Sequence, residues 1–381
     1  MTNVTIGTGS PRRRPTSKDV AALAGVAQST VSHVINGNYP VSETVRRQVL
    51  DAMERLDYHP NASARTLRTS RTRTIALLEK LDEHTAGYDV LPYLTGIIRH
   101  AREHDYDVIV NTLSDDDNAL DRLSQRMICD GFVIMDVVEG DPRVERAAQL
   151  AVPAVLVGNA VGFGDDANVP GAGRMPDCVY YDYDAAMAEI AREAADCGCD
   201  TLVMVRDEPD DGRSLPPIER TMYDSGRREA ERLGLRTELI VPPTGEEDGV
   251  AAVGDDLAAA IAGRRAVIAM RGVNLGDAVR RWCEARDIRP GIDVSIVAIG
   301  PVAAQGRYPE LSYLPTRPDA VVSAAIDLLA ARIDGDTSPA VVRAILPEHI
   351  VHRGTTLPMM TLPMRTDSGD VWGCGRDGER G

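Results

Sequence analysis

The sequence predicts an N-terminal all-α helix-turn-helix headpiece followed by a two-lobed α/β body of parallel sheets flanked by helices. Three observations carry that expectation. Residues 16–56 hold three short helical patterns with a glycine at the first turn. From Arg73 onward, short apolar runs alternate with helical stretches. This alternation comes in two series of comparable length, separated by a polar, glycine-rich loop at Gly162 to Pro176.

Met1 to Pro15 reads as a disordered arm, with Arg12, Arg13 and Arg14 as a patch suited to phosphate contact. Thr16 is an N-cap, and Val20, Leu23 and Ala24 give the first helix an apolar face. Gly25 stands where a tight turn needs positive φ. A second helix over about Gln28 to Asn36 turns Val31, Val34 and Ile35 inward, and Asn36-Gly37-Asn38 ends it with turn chemistry. Ser42 opens a third helix, in which Val45, Val49, Met53 and Leu56 recur at helical spacing. In the body, the first series has strands at Thr74–Leu78, Tyr106–Val110, Gly131–Met135 and Pro153–Val157, with helices at Leu94–His104 and Leu120–Cys129. The second has strands at Leu202–Val205, Glu238–Val241, Ala266–Ala269 and Val294–Ala298. Its helices are Ala185–Asp196, Tyr223–Leu233, Asp255–Ala262 and Leu275–Arg286. Any ligand of such a body is expected in the cleft between the lobes.

Charge is unevenly spread. The chain of 381 residues has a net charge of −16, yet Pro11 to Arg73 holds eleven Lys/Arg against five Asp/Glu, so the remainder carries −22. A basic module on an acidic body is the asymmetry expected when one domain meets phosphate. Of six cysteines only Cys197 and Cys199 are close-spaced, without a second pair or a His cluster to complete a zinc site. They read as idle thiols in a reducing compartment. The N-terminal residues show no apolar leader, and no run approaches the roughly 18 apolar residues a membrane helix needs. A cytoplasmic location is therefore expected, with no membrane partner. There is no Ser-His-Asp spacing, P-loop or metal cluster, and Gly171-Ala172-Gly173 is a weak glycine motif inside a loop. No enzyme activity, metal or cofactor is expected.

The run Lys18-Asp-Val-Ala with Thr30-Val-Ser-His-Val-Ile-Asn36, the hinge Pro60 to Arg68 and the two-lobed body together resemble the LacI/GalR family of bacterial repressors. The headpiece is most similar to the purine repressor branch. Pro309-Glu-Leu-Ser-Tyr313 resembles the segment before that family's last large helix, and Val351-His-Arg-Gly-Thr355 its closing strand. The resemblance implies a periplasmic-binding-protein-like body and a homodimer that reads a pseudopalindromic operator in double-stranded DNA. It implies base contacts from Gln28, Ser29 and His33, and backbone contacts from Thr30, Ser32 and Asn36. Thr16, Ser17 and Lys18 fall with them at the DNA. In the hinge, Asn61, Ala64, Leu67 and Arg68 fall where relatives form a minor-groove helix, Leu67 wedging into a base step. Ala27 departs from many members of that family, which have Ser there as N-cap. The loss costs about 1 kcal/mol unless Gln28 or Ser29 shifts the helix start.

The resemblance also implies a small-molecule effector between the lobes. Arg271 stands where relatives carry an effector-binding Asp, and Ala298-Ile-Gly300-Pro301 lacks a second acid. Three readings stay open. Arg271 receives an anionic effector; effector binding has been lost or moved; or Arg271 points to solvent or pairs with Asp277. Asp82, Asp136, Asn159 and Asp182 lie at strand ends and are further cleft candidates. The domain expectation is an arm at 1–15, a headpiece at 16–60, a hinge at 61–73, a body at 74–356 and a disordered tail at 357–381. The function expected is repression of transcription. The alternatives are a regulator without effector control or a solute-binding protein of the same fold.

Overall fold

The computed structural model describes residues 15–36, 39–58, 71–81, 87–112, 118–137, 140–158, 175–206, 217–243, 247–301 and 308–359. The chain divides into two compact units, Met1–Thr72 and Arg73–Gly381.

The first unit holds α1 (Ser17–Ala24), α2 (Gln28–Asn36) and α3 (Glu43–Arg55). Each start has a local cause. The Asp19 amide donates to Thr16 Oγ1, and the Thr16 amide donates back to Asp19 Oδ2, closing a capping box. Gly25 ends α1 at φ 67, a conformation that a residue with a Cβ adopts at a cost. Ser42 Oγ accepts from the Val45 amide and caps α3. The core is small: Val20, Ala21, Val31, Val49 and Ala52 are buried, and Val34, Ile35, Val45, Met53 and Leu56 pack around them. Leu23, expected on the inner face, is 40% exposed, and Ala21 is buried instead. The small side chain lets α1 approach α2 and α3.

The second unit contains two parallel sheets. In lobe one the strands are β1 (Thr74–Glu79), β2 (Asp107–Thr112), β3 (Gly131–Ile134), β4 (Ala154–Val157), β5 (Asp177–Tyr181) and β11 (Val342–Ile345). Their spatial order is β11-β5-β4-β3-β1-β2. In lobe two β6 (Thr201–Val205), β7 (Arg236–Ile240), β8 (Ala266–Arg271), β9 (Ser295–Pro301) and β10 (Ser312–Thr316) lie in the order β10-β9-β8-β6-β7. All pairings are parallel. Central strands buried on both faces explain the continuous apolar runs of the sequence. Lobe one carries α4 (Gly87–Glu103), α5 (Ala119–Gln125), α6 (Pro142–Gln149) and α12 (Pro318–Ile333). Lobe two carries α7 (Tyr183–Asp196), α8 (Pro217–Arg232), α9 (Glu247–Ala252), α10 (Gly254–Ile261) and α11 (Val273–Glu284).

Several expected bounds shift. The helix expected at Leu94 begins at Gly87 and accommodates Pro92. The helix at Asp255–Ala262 is the second of two short ones, α9 and α10. The closing segment at Val351 makes a single bridge to Tyr313 instead of a strand. Helices α4 and α12 approach closely at Gly96, where a Cβ would lie 2.5 Å from Val322 Cγ2.

The chain crosses between lobes from the carboxyl ends of β5, β10 and β11, so the carboxyl ends of both sheets border one junction. The last crossing depends on a buried ion pair. Arg332, 5% exposed at its side chain, donates from Nε and Nη2 to both oxygens of Asp177 at 2.7 and 2.8 Å. The same guanidinium donates to Asp336, Ser338 and the Pro339 carbonyl, and Asp177 also accepts from the Val341 amide. This network folds residues 334–341 against β5 and delivers β11 to the sheet edge. Beyond it, Thr355 Oγ1 accepts from the Ser312 amide and donates to the Ile296 carbonyl, while the buried Leu357 donates its amide to Ser295.

Removing one member of a buried, fully hydrogen-bonded pair strands the other. Arg332→Ala is expected to cost about 3–5 kcal/mol in urea unfolding. Adding Asp177→Asn should restore part of that loss. Strict additivity of the two changes would show that the pair is not coupled.

Candidate nucleic-acid interface and ligand cleft

In the headpiece the recognition candidates share one strip. Helix α2 begins at Gln28 without a shift: the Ala27 carbonyl accepts from the Thr30 and Val31 amides at 2.9 and 3.3 Å. The missing hydroxyl at Ala27 therefore leaves the helix start in place. Ser29, Ser32 and His33 lie across the helix from the buried Val31, and Gln28, Ser29 and Ser32 are exposed. Gln28 Nε2 donates to Ser17 Oγ at 2.9 Å, joining the first turns of α1 and α2. Lys18 is exposed beside them, and Thr30 is half-buried. His33 is half-buried, its ring centroid 5.1 Å from that of Tyr39. Thr16 is spent on its cap. Asn36 ends α2. Asn61, Ala64, Leu67 and Arg68 lie outside the described residues.

The body concentrates unmatched polar atoms at its lobe junction. Among the described residues, five buried side-chain atoms find no hydrogen-bond partner: Glu79 Oε2, Arg143 Nη1, Tyr181 Oη, Arg206 Nε and Trp282 Nε1. Glu79, Tyr181 and Arg206 stand at or just after the carboxyl ends of strands, the position where ligands bind open parallel sheets, while Arg143 lies in the first turn of α6. Trp282 lies apart, with the Arg286 guanidinium 4.6 Å from its ring.

Glu79 closes β1 on the face that buries Ile75 and Leu77, and is 3% exposed. Burial, with a further push from Asp136, raises its carboxyl from the ordinary 4.5 to about 8, while Arg143 pulls the other way. Burial also pushes the Tyr181 phenol well above its usual range. Tyr181 stands edge-on to Tyr183, and Arg271 Nε donates to Tyr183 Oη at 3.4 Å. Arg206 lies over the Tyr223 ring, 5.8 Å from its centroid, and Tyr223 Oη donates to the Val205 carbonyl. Asn274 accepts from Tyr308 Oη at 2.7 Å.

The other cleft candidates from sequence fare unevenly. Asp182 caps α7 by accepting from the Ala185 amide. Asp136 sits at φ 50 and offers its carbonyl to Arg143 Nη2 at 2.7 Å. Asp277 is buried and holds Arg280 and Arg281 instead of Arg271. Asp82 and Asn159 lie outside the described residues. Sequence reasoning missed Glu79, Tyr181, Tyr183, Arg206 and Tyr223. For Glu79 a signal existed: the alternation of Ile75 and Leu77 asks for an apolar residue there. A cavity of about 330 Å³ near Arg143 and Arg146 opens beside Leu78, on the opposite face of β1 from Glu79. Its cations are already paired with Asp141 and Asp121. The five described cysteines are buried, and burial raises the Cys129, Cys197 and Cys283 thiols to about 12, so they are unreactive at neutral pH.

Residues 16–61 match the lacI family of bacterial regulatory proteins, and residues 191–356 match a periplasmic binding protein-like domain. The regulator MalR of Streptococcus pneumoniae is 33% identical over 153 residues, 38% of this chain and 46% of that protein. The chain thus aligns with less than half the length of the first such relatives. PtxS of Pseudomonas aeruginosa is 28% identical over 91% of this chain and 97% of its own length. The lac repressor dimer bound to operator and the anti-inducer ONPF superposes with a TM-score of 0.74 at 17% identity, covering 91% of this chain and all of that one. A CelR–cellobiose complex gives 0.61 at 21% identity, with 90% and 100% covered. These structures establish the fold.

Because folding raises the Glu79 carboxyl from 4.5 to about 8, the folded protein binds more protons than the unfolded chain between those values. The contribution is full below the lower value and is lost as pH rises toward the upper, at up to about 1.4 kcal/mol per unit. Glu79→Gln should flatten this part of the pH dependence in denaturant titrations. A variant with the parent's pH slope would place the titration elsewhere.

Proposed function

We infer that this chain, which belongs to the lacI family of bacterial regulatory proteins, is a sequence-specific DNA-binding regulator of transcription, acting as a homodimeric repressor. The observation that carries the reading is the exposed polar strip of Gln28, Ser29, Ser32 and His33 on a recognition helix whose start is fixed by local hydrogen bonds. Gln reads adenine bidentately, while Ser and His serve other base edges. The basic balance around the headpiece supplies the phosphate attraction. The hinge residues Asn61, Ala64, Leu67 and Arg68 complete the interface in the minor groove.

A second copy pairs through lobe one. Leu91 and Ile98 on α4 are 57% and 40% exposed, and Ile109 and Val110 on the edge strand β2 are 39% and 42% exposed. Apolar side chains beside an unpaired strand edge favour self-association. A small molecule bound between the lobes shifts their closure and hence operator affinity. Arg271 favours an organic anion as that molecule. We place the protein in the cytoplasm, with no catalytic step of its own. No helix among the described residues is long and apolar enough to cross a membrane.

Selection from a random-sequence duplex library at physiological salt tests the reading and should enrich a pseudopalindrome. Gln28→Ala should then lose about 1–3 kcal/mol of discrimination at one base per half-site. Lys18→Ala should weaken all sequences alike, and Leu67→Ala should weaken the operator far more than random DNA. Failure to enrich any sequence, with and without candidate ligands, overturns the assignment.

A further inference from the structure

Ser29 and Ser32 end in hydroxyls, which rotate to suit a donor or an acceptor and so discriminate little between base edges. Gln28 differs, because its amide has two unlike ends: an oxygen that only accepts and a nitrogen that only donates. On an exposed residue such an amide is free to present either end. Here it is tied down, since Nε2 donates to Ser17 Oγ at 2.9 Å. Both ends of that bond are anchored. Ser17 is the first residue of α1, whose start is fixed by the capping box of Thr16 and Asp19. Gln28 is the first residue of α2, whose start is fixed by the Ala27 carbonyl. The two helices share the buried Val20, Ala21 and Val31.

An amide nitrogen carries two hydrogens. Ser17 takes one, and the other is left beside Oε1, so that one donor and one acceptor remain for a base. Adenine shows the matching pair in the major groove, with N7 accepting and N6 donating. Guanine shows two acceptors there, N7 and O6, and would set one of them against the Gln28 carbonyl. A hydroxyl also serves the reversed amide, by donating to Oε1, and that arrangement would suit guanine. The direction found in the headpiece is Nε2 to Oγ.

We propose that Ser17 is a positioning residue for base reading: it holds the Gln28 amide with one donor and one acceptor outward, and so selects adenine over guanine. The proposal rests on reading α2 as the recognition helix. Ser17 acts through Gln28 and needs no base contact of its own. Because the amide is ordered before DNA arrives, binding does not bear the cost of ordering it.

The full-length protein is bound to the duplex that selection enriches, and to the same duplex with each base pair replaced in turn. Gln28→Ala marks the base pair that Gln28 reads, and that pair should be A·T. Ser17→Ala should lose about three- to tenfold in discrimination at the same pair, the worth of one hydrogen bond. Ser17→Thr keeps the hydroxyl and should recover most of that loss. Thr16 still caps α1 in both variants, and alanine favours a helix, so Ser17→Ala should melt with the parent. In the Gln28→Ala background, Ser17→Ala should change discrimination no further. An equal loss in both backgrounds shows that Ser17 meets DNA by itself and overturns the proposal. Parental discrimination in Ser17→Ala, or a weakening spread evenly over all base pairs, does the same. A G·C pair at the marked position shows the amide reversed and is equally fatal. Enrichment of no sequence removes the recognition reading and the proposal with it, whereas an enriched duplex that is read without Ser17 removes the proposal alone.

Discussion

The body depends on the buried pair between Arg332 and Asp177. Parallel strands cannot be joined by tight turns, so each must return through a long connection. For β11 that return is the polar run 334–341, which has few apolar side chains to fix it. One guanidinium supplies the fixing by binding Asp177, Asp336, Ser338 and Pro339 together. With β11 in register at Ile345↔Tyr181, the chain can cross back to lobe two and stitch β9 to β10 through Thr355. A buried ion pair is a weak source of net stability in general. Its role here is to select one path for the chain.

That path determines where polar chemistry can sit. Strands covered on both faces must be apolar along their length, so polar groups collect at their ends. The three crossings leave from carboxyl ends, and Glu79, Tyr181, Arg206 and Arg271 therefore gather around one junction instead of scattering over the surface. The same geometry separates functions. The basic charge gathers in a headpiece with a small core, while the rest of the chain is acidic.

Much of the headpiece was legible in the sequence because its signals are local. Thr16 with Asp19, Gly25 at positive φ, and Ser42 each fix a helix boundary through bonds that span a few residues. The exposed polar strip of Gln28, Ser29 and Ser32 follows from helical spacing alone. Leu23 and Ala21 exchanged roles because helix periodicity gives a face, whereas the closeness of neighbouring helices decides which side chain fits. In the body the apolar runs marked most strands. Helices α6 and α9 and strands β5, β10 and β11 escaped, being short and lacking a clean period.

The sequence by itself determined the class of the protein: three short helices, two of them capped by a side chain, with a polar strip on the second, and two series of buried strands alternating with helices. It also singled out Arg271 as an unusual residue. Only the tertiary structure decided that Arg206 is its neighbour, that Asp277 is not its partner, and that Glu79 is buried as a near-neutral acid. The reason is physical. Helix caps and periodicity act between residues close in the chain, but parallel register and burial join residues far apart in it. The electrostatic character of a strand-end residue is set by what the rest of the fold places beside it.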